Sequence, residues 1–462
     1  MDGSQPVNPY LSGNFAPVRS EDDFVLEVVG EIPAGLSGAF YRNGPNPQFA
    51  PRDDYHWFSG DGMIHAVFVE DGRATYRNRY VRTPKWVLEH EAGRALYGTF
   101  GNPMTSDPSV IGKDGGVANT NIVWHGGRLL ALEEGHPPFE LDPVTLDSKG
   151  YRNEYRGRVT AHPKMDPETG EMVWFAYSAG QLPFSDTVSY GVTDAAGKVT
   201  RRDDFEAPFS SMVHDFMVTR GHVLFPILPL TGSLQRAMSG GPAFAWEPDK
   251  GSHVGVMARD AGVETLRWFT TDPLYVFHPM NAWEEGSKIF ADVMEYPRAP
   301  LFPNADGGRG QNAPARLVRW TFDLADASNT IRRQPLDDLA GEFPRFDERR
   351  AGLAYRHGWF AGNTERPGDV RFDCLAHIDT ASGKRTIHEL GPGDATGEPV
   401  FVPRSADAAE GDGWLVALIY RAAEDRSEFA VFDALDIAAG PVGAAKLPRR
   451  VPFGFHGNWR AA

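Results

Sequence analysis

At 462 residues, with 41% hydrophobic and 12% aromatic side chains, the chain has enough apolar material for a sizeable core. A net charge of −16, with no concentration of Lys and Arg, excludes the basic face that nucleic-acid phosphates require and opposes contact with an anionic membrane surface. The single cysteine, Cys374, excludes an internal disulfide, a zinc ribbon and an iron–sulfur cluster.

The first stretch, "MDGSQPVNPYLSGNFAPV", has neither the basic start nor the apolar centre of a signal peptide. The longest apolar run, "VLFPILPL", is too short to span a bilayer and holds two prolines. The expectation is a cytoplasmic protein without an integral membrane segment. Along the chain, short apolar runs bounded by Gly, Pro, Asp or Asn read as strands: "MIHAVFVEDG", "RLLALEEG", "EMVWFAYS", "HVLFPILPL", "KIFADVMEY", "WLVALIYR" and "EFAVFDALD". "FELDPVTLDSKG" reads as strand, Asp-Pro turn, strand. Helical periodicity is confined to Pro84–Gly98 and, more weakly, to "GSLQRAMSG".

No linker interrupts the pattern, so one domain over residues 1–462 is expected. Many short strands imply a sandwich, a barrel or a propeller, and the length favours a propeller. A propeller usually closes by joining its chain ends. That gives the aromatic, glycine-rich tail "VPFGFHGNWRAA" a reason to be ordered.

Familiar catalytic signatures are missing: there is no H-E-x-x-H, G-x-S-x-G, Walker A or dinucleotide fingerprint. Fourteen histidines remain. His125 and His222 sit at turns, and His90, His253 and His388 in polar surroundings, so these read as solvated. His162 in "VTAHPKMD", His214 in "SMVHDFMV", His278 in "YVFHPMNAW" and His456 in "FGFHGNW" lie in or beside apolar runs, next to residues that fix the backbone. Each alone reads as a core histidine. Together, on separate blades, they could meet on an axis and hold a metal, although their irregular spacing does not establish it.

From "FYRNGPNPQF" to "FGFHGNW", through "HWFSGDGMIHAV", "ANTNIVWHGGRLLALEEGHPPFELDP", "FHPMNAWEEG", "EFPRFDERRAG" and "GEPVFVPR", the chain resembles the carotenoid cleavage oxygenase family. The resemblance implies a seven-bladed β-propeller capped on one face by loops and helices, with iron on its axis. It makes His162, His214, His278 and His456 the ligands of one non-haem Fe(II) per chain. Glu134, Glu342 and Glu398 become the carboxylates behind them, and Thr120 the residue whose methyl limits access to an open iron position. The implied reaction is oxidative cleavage of an alkene by O2 into two carbonyl products. A non-catalytic binding propeller, or an isomerase or hydrolase on the same iron, are the competing readings.

In wording such as "YRNRYVRT" and "EGHPPFELDP" the chain is most similar to the bacterial lignostilbene- and stilbene-cleaving branch. The implied substrate is a small apolar aromatic alkene, stilbenoid or phenylpropanoid, with apocarotenoids second. Phe58 matches a substrate-packing Phe of that branch. The Tyr and Lys that grip a phenolic hydroxyl there fall on Phe100 and Glu133, with Tyr97 the nearest other tyrosine. Phe lacks the hydroxyl, and Glu opposes a phenolate instead of favouring it. Weak cleavage of ordinary 4-hydroxystilbenes is therefore expected.

Overall fold

A computed structural model of the protein describes residues 8–52, 55–310, 313–365 and 371–462. Of the N-terminal stretch read as lacking a leader, residues 1–7 lie outside these. The expected seven-bladed β-propeller is present. Five blades are antiparallel four-stranded sheets in simple chain order: they start from the strands Asn121–His125, Lys164–Met165, Met217–Val218, Tyr275–Glu285 and Ala340–Phe346. In the blade that begins at Met217 the sheet skips a small separate hairpin, Leu230–Gly232 with Phe244–Trp246.

The two remaining blades join the chain ends. The last strand, Gly457–Ala461, pairs with Gly38–Pro45 and becomes the end strand of the first blade. The early strand Glu27–Gly30 pairs with Gly443–Lys446 and forms the far edge of the last blade. The ring is thus laced twice. Central strands such as Met172–Ala176 and most of Tyr275–Glu285 are buried on both faces, and Trp174, Trp320 and Trp359 are fully enclosed. The fit is close at Gly191, where a Cβ would stand 2.1 Å from the Trp174 ring.

Among the described residues there are two α-helices, Pro84–Ala92 and Leu234–Met238, both in the regions read as helical. Pro84–Ala92 starts with a proline in its first turn behind Thr83, whose hydroxyl accepts from Trp86 N–H, and stops at Gly93 with φ +66°. No helix among the described residues is long and apolar enough to cross a membrane.

Candidate metal centre and cavity

The four histidines singled out in the sequence converge, all buried, with one ring nitrogen from each lying within 4.8 Å of the others. His162 and His214 sit just before the first strands of their blades, and His456 just before the closing strand. His278 lies inside Tyr275–Glu285, where the pairing slips between Val276 and Pro279 and again between Pro279 and Asn281. Such irregularities re-aim a side chain; here they flank the imidazole that must point inward.

Behind the rings stand the expected carboxylates. His214 Nδ1 lies 2.5 Å from Glu134, His278 Nδ1 2.6 Å from Glu342 and His456 Nδ1 3.0 Å from Glu398. A carboxylate at Nδ1 keeps the proton there and leaves the Nε2 lone pair facing inward. Yet His214 Nε2 is only 3.1 Å from both His162 Nε2 and His278 Nε2. Bare lone pairs that close repel unless a cation lies among them. The donor set therefore fits a metal ion. Burial, reinforced by the neighbouring imidazoles, pushes His162 well below the ordinary histidine range, and burial lowers His278 against the pull of Glu342. Burial acts the same way at His214, but Glu134 reverses it.

Each carboxylate is itself held. Glu134 accepts from Tyr177 O–H at 2.6 Å, Glu342 from Phe343 N–H at 2.7 Å and Glu398 from Gly457 N–H at 2.8 Å. Arg345 stands 3.4 Å from Glu398, and this guanidinium, with His456, overrides burial and lowers the Glu398 carboxyl to about 2. Phe343 has φ +56° beside a break in strand pairing between Glu342 and Arg345, and its ring stacks on His278 with centroids 5.5 Å apart. A non-glycine residue held there is strained backbone next to the site. His162 differs from the other three: its Nδ1 is 3.7 Å from Asp215, beyond hydrogen-bonding distance, and Asp215 is taken by Lys164 at 2.7 Å.

Tyr177, Arg345, Asp215 and Lys164 were not found by sequence reasoning. Only Asp215 carries a local signal, next to His214. Conversely, His125, read as solvated, is buried and its Nε2 lies 3.0 Å from Gly170 O.

His214, His278 and His456 line a cavity of about 1030 Å³. Thr120 lines it too, and its carbonyl accepts from His456 N–H at 3.1 Å, tying it to the fourth imidazole. Phe58 meets Phe100, Phe302 and Phe455 edge-on, with centroids 5.9, 6.2 and 5.5 Å away. Phe100 also stacks on His56 at 5.0 Å. Burial, with Arg309 nearby, lowers His56 to about 4.

Glu133 lines the cavity as well, but its charge is engaged. It accepts from Val117 and Gly135 N–H at 3.2 and 3.3 Å, and His136 Nδ1 is 2.5 Å away. Burial pushes His136 down, yet Glu133, with help from Asp114 and against Arg158, raises it to about 9. A raised imidazolium stabilises the fold fully below its ordinary value of 6.5 and loses that contribution as pH climbs through about 9. A His136→Gln variant is therefore expected to be less stable than the parent by about 2–3 kcal/mol near pH 6, with the gap closing near pH 10. Urea unfolding across that range measures it, and a gap independent of pH would contradict the ion pair.

The sequence profile of the retinal pigment epithelial membrane protein family matches residues 15–461. The chain is 40% identical to isoeugenol monooxygenase of Pseudomonas nitroreducens over 469 residues, 98% of each protein. It is 39% identical to lignostilbene-alpha,beta-dioxygenase isozyme III of Sphingomonas paucimobilis over 483 residues, covering 99% of this chain and 98% of that one. Its fold matches the crystal structure of Pseudomonas brassicacearum lignostilbene dioxygenase with a TM-score of 0.95 at 36% identity, over 99% of both chains. Profile, relatives and fold agree, and the chain belongs to the retinal pigment epithelial membrane protein family, that of the carotenoid oxygenases.

Proposed function

We propose that the protein is an Fe(II)-dependent oxygenase that cleaves the C=C bond of a stilbenoid or phenylpropanoid alkene, taking both atoms of O2 into two carbonyl products. The observation that carries this reading is the cluster of four buried imidazoles, three backed by carboxylates, at the wall of a large apolar cavity. Iron(II), one per chain, supplies the redox chemistry by which O2 reacts with the alkene. Four neutral imidazoles suit a divalent first-row metal, and the alkene itself supplies the electrons, so no nicotinamide or flavin is needed. The balance is one alkene and one O2 in, two aldehydes or ketones out.

The chain's own residues position and shield. Glu134, Glu342 and Glu398 hold the Nδ1 protons of His214, His278 and His456 and keep each ring oriented. Thr120, whose carbonyl holds His456 N–H, narrows access with its methyl. Phe58, Phe100 and Phe455 provide the flat apolar walls that align an aromatic alkene and exclude water, since small misplacements of the reacting carbons are costly. We read residues 1–462 as one working unit in the cytoplasm. An apocarotenoid is the second reading, favoured by a cavity volume at the upper end of small-molecule sites.

The names of the relatives differ on whether one or two oxygen atoms are transferred, so the test is product analysis under ¹⁸O2. Label in both carbonyl products of a stilbene is the expected result. Products free of O2-derived oxygen would overturn the reading.

A further inference from the structure

One end of the cavity wall carries charges that the reaction does not use. Glu133 and His136 line it as a pair, and so does Arg158. The pair is internally satisfied: three donors meet the Glu133 carboxylate, and the far side of His136 faces Asp114, with Nε2 3.4 Å from its carboxylate. Arg158 is not. It is partly buried and has neither an ion-pair nor a hydrogen-bond partner among the described residues. Of the other cations of the wall, Lys85 meets Asp61 at 2.6 Å and Glu89 at 3.0 Å, Arg42 donates to Pro452 O at 2.7 Å and Arg52 meets Asp107 at 3.3 Å, while Lys113 is exposed.

Arg158 also sits close to the chemistry. It lines the same cavity as Tyr177, which donates to the Glu134 carboxylate that holds His214. Glu133 and Glu134 are adjacent in the chain, one serving this end of the cavity and the other the metal cluster. A substrate lying along the apolar wall from the metal would thus bring a ring substituent to a guanidinium whose donors are not taken by other protein groups among the described residues. Guanidinium groups pair with planar two-oxygen anions through parallel hydrogen bonds.

We propose that Arg158 is a specificity-determining residue that recognises an anionic oxygen on the aromatic ring of the substrate, a carboxylate or a phenolate, with the Glu133–His136 pair as the polar floor beneath it. This rests on the reading of the protein as an aryl-alkene oxygenase. It accounts for a wall in which Phe100 and Glu133 occupy the positions that match the phenol-gripping Tyr and Lys. The anchoring cation comes from a different strand connection, just before the blade that carries His162.

Two measurements test it. The first is binding to the unmodified protein of bibenzyl-4-carboxylate, which has no alkene to cleave, against its methyl ester. The acid is expected to bind at least about 10-fold more tightly, since charge-assisted hydrogen bonds are among the stronger polar contacts. Equal affinity would overturn the assignment. The second compares stilbene-4-carboxylate, 4-hydroxystilbene and 4-methylstilbene as substrates of the parent and of Arg158→Met. The ratio of kcat/KM for the carboxylate over that for 4-methylstilbene is expected to fall about 10- to 100-fold. The 4-hydroxystilbene ratio separates phenolate from carboxylate as the preferred oxygen. An unchanged ratio for both anionic substrates refutes the role of Arg158. Cleavage of none of the three by the parent refutes the oxygenase reading instead, and the binding comparison still decides the subsite.

Discussion

Replacing His278 by alanine is expected to reduce bound iron below about a tenth of the parent level and to abolish alkene cleavage. Removal of one of four imidazoles leaves a three-nitrogen site, and it also takes away the imidazole that the buried Glu342 carboxylate meets at 2.6 Å. An uncompensated buried carboxylate costs several kcal/mol, so the defect is larger than one lost metal bond. Glu398→Gln makes the useful contrast. It keeps all four ligands and the shape behind His456, and should weaken metal retention only about 10- to 100-fold. Metal analysis of anaerobically purified protein, with thermal unfolding alongside to show that both variants fold, checks the pair. Unchanged iron in both would show that these imidazoles do not hold the metal.

The second large effect is expected from ending the chain at His456. That truncation keeps every ligand and removes only the closing strand. With it go the ladder from Gly38↔Ala461 to Arg42↔Gly457, the Gly457 N–H bond to Glu398 and the packing of Trp459 against the core between the first and last blades. The anchors from Arg345 to Gly457 O and Asn458 Oδ1, at 3.1 and 2.9 Å, are lost as well. Burial of a large side chain contributes about 1.5–3 kcal/mol and each ladder bond about 0.5–1.5 kcal/mol. The sum is comparable with the roughly 5–15 kcal/mol by which a domain is stable at all. The truncated protein should therefore melt at least about 10 °C lower, or fail to accumulate folded, and should not retain metal. A truncated chain that melts with the parent and holds iron would show that closure is dispensable.

Much of this architecture can be read from the chain, and the reason is local. "MIHAVFVEDG" becomes the strand Gly62–Glu70, turning at Asp71 and Gly72, because alternation and a turn dipeptide act over a few residues. The four histidines stand out for a similar reason, each embedded in apolar sequence. What stands behind them is not local. Glu134 meets His214 across 80 positions and Glu398 meets His456 across 58, so only the family resemblance could pair them. Arg345 and Tyr177 lack even that, since an Arg in "EFPRF" or a Tyr in "FAYS" carries no sign of its partner. His125 shows the opposite failure. A "WHGG" turn reads as solvated, but the neighbouring blade covers it and offers a carbonyl.

The order in which the ligands are made has its own consequence. His162, His214 and His278 are all translated well before His456, which follows His278 by 178 residues. At about 5–20 residues per second, roughly 10–35 s separate the third imidazole from the fourth. Throughout that interval a nascent chain can offer at most three. A metal held by all four imidazoles is therefore enclosed only after His456 has been made.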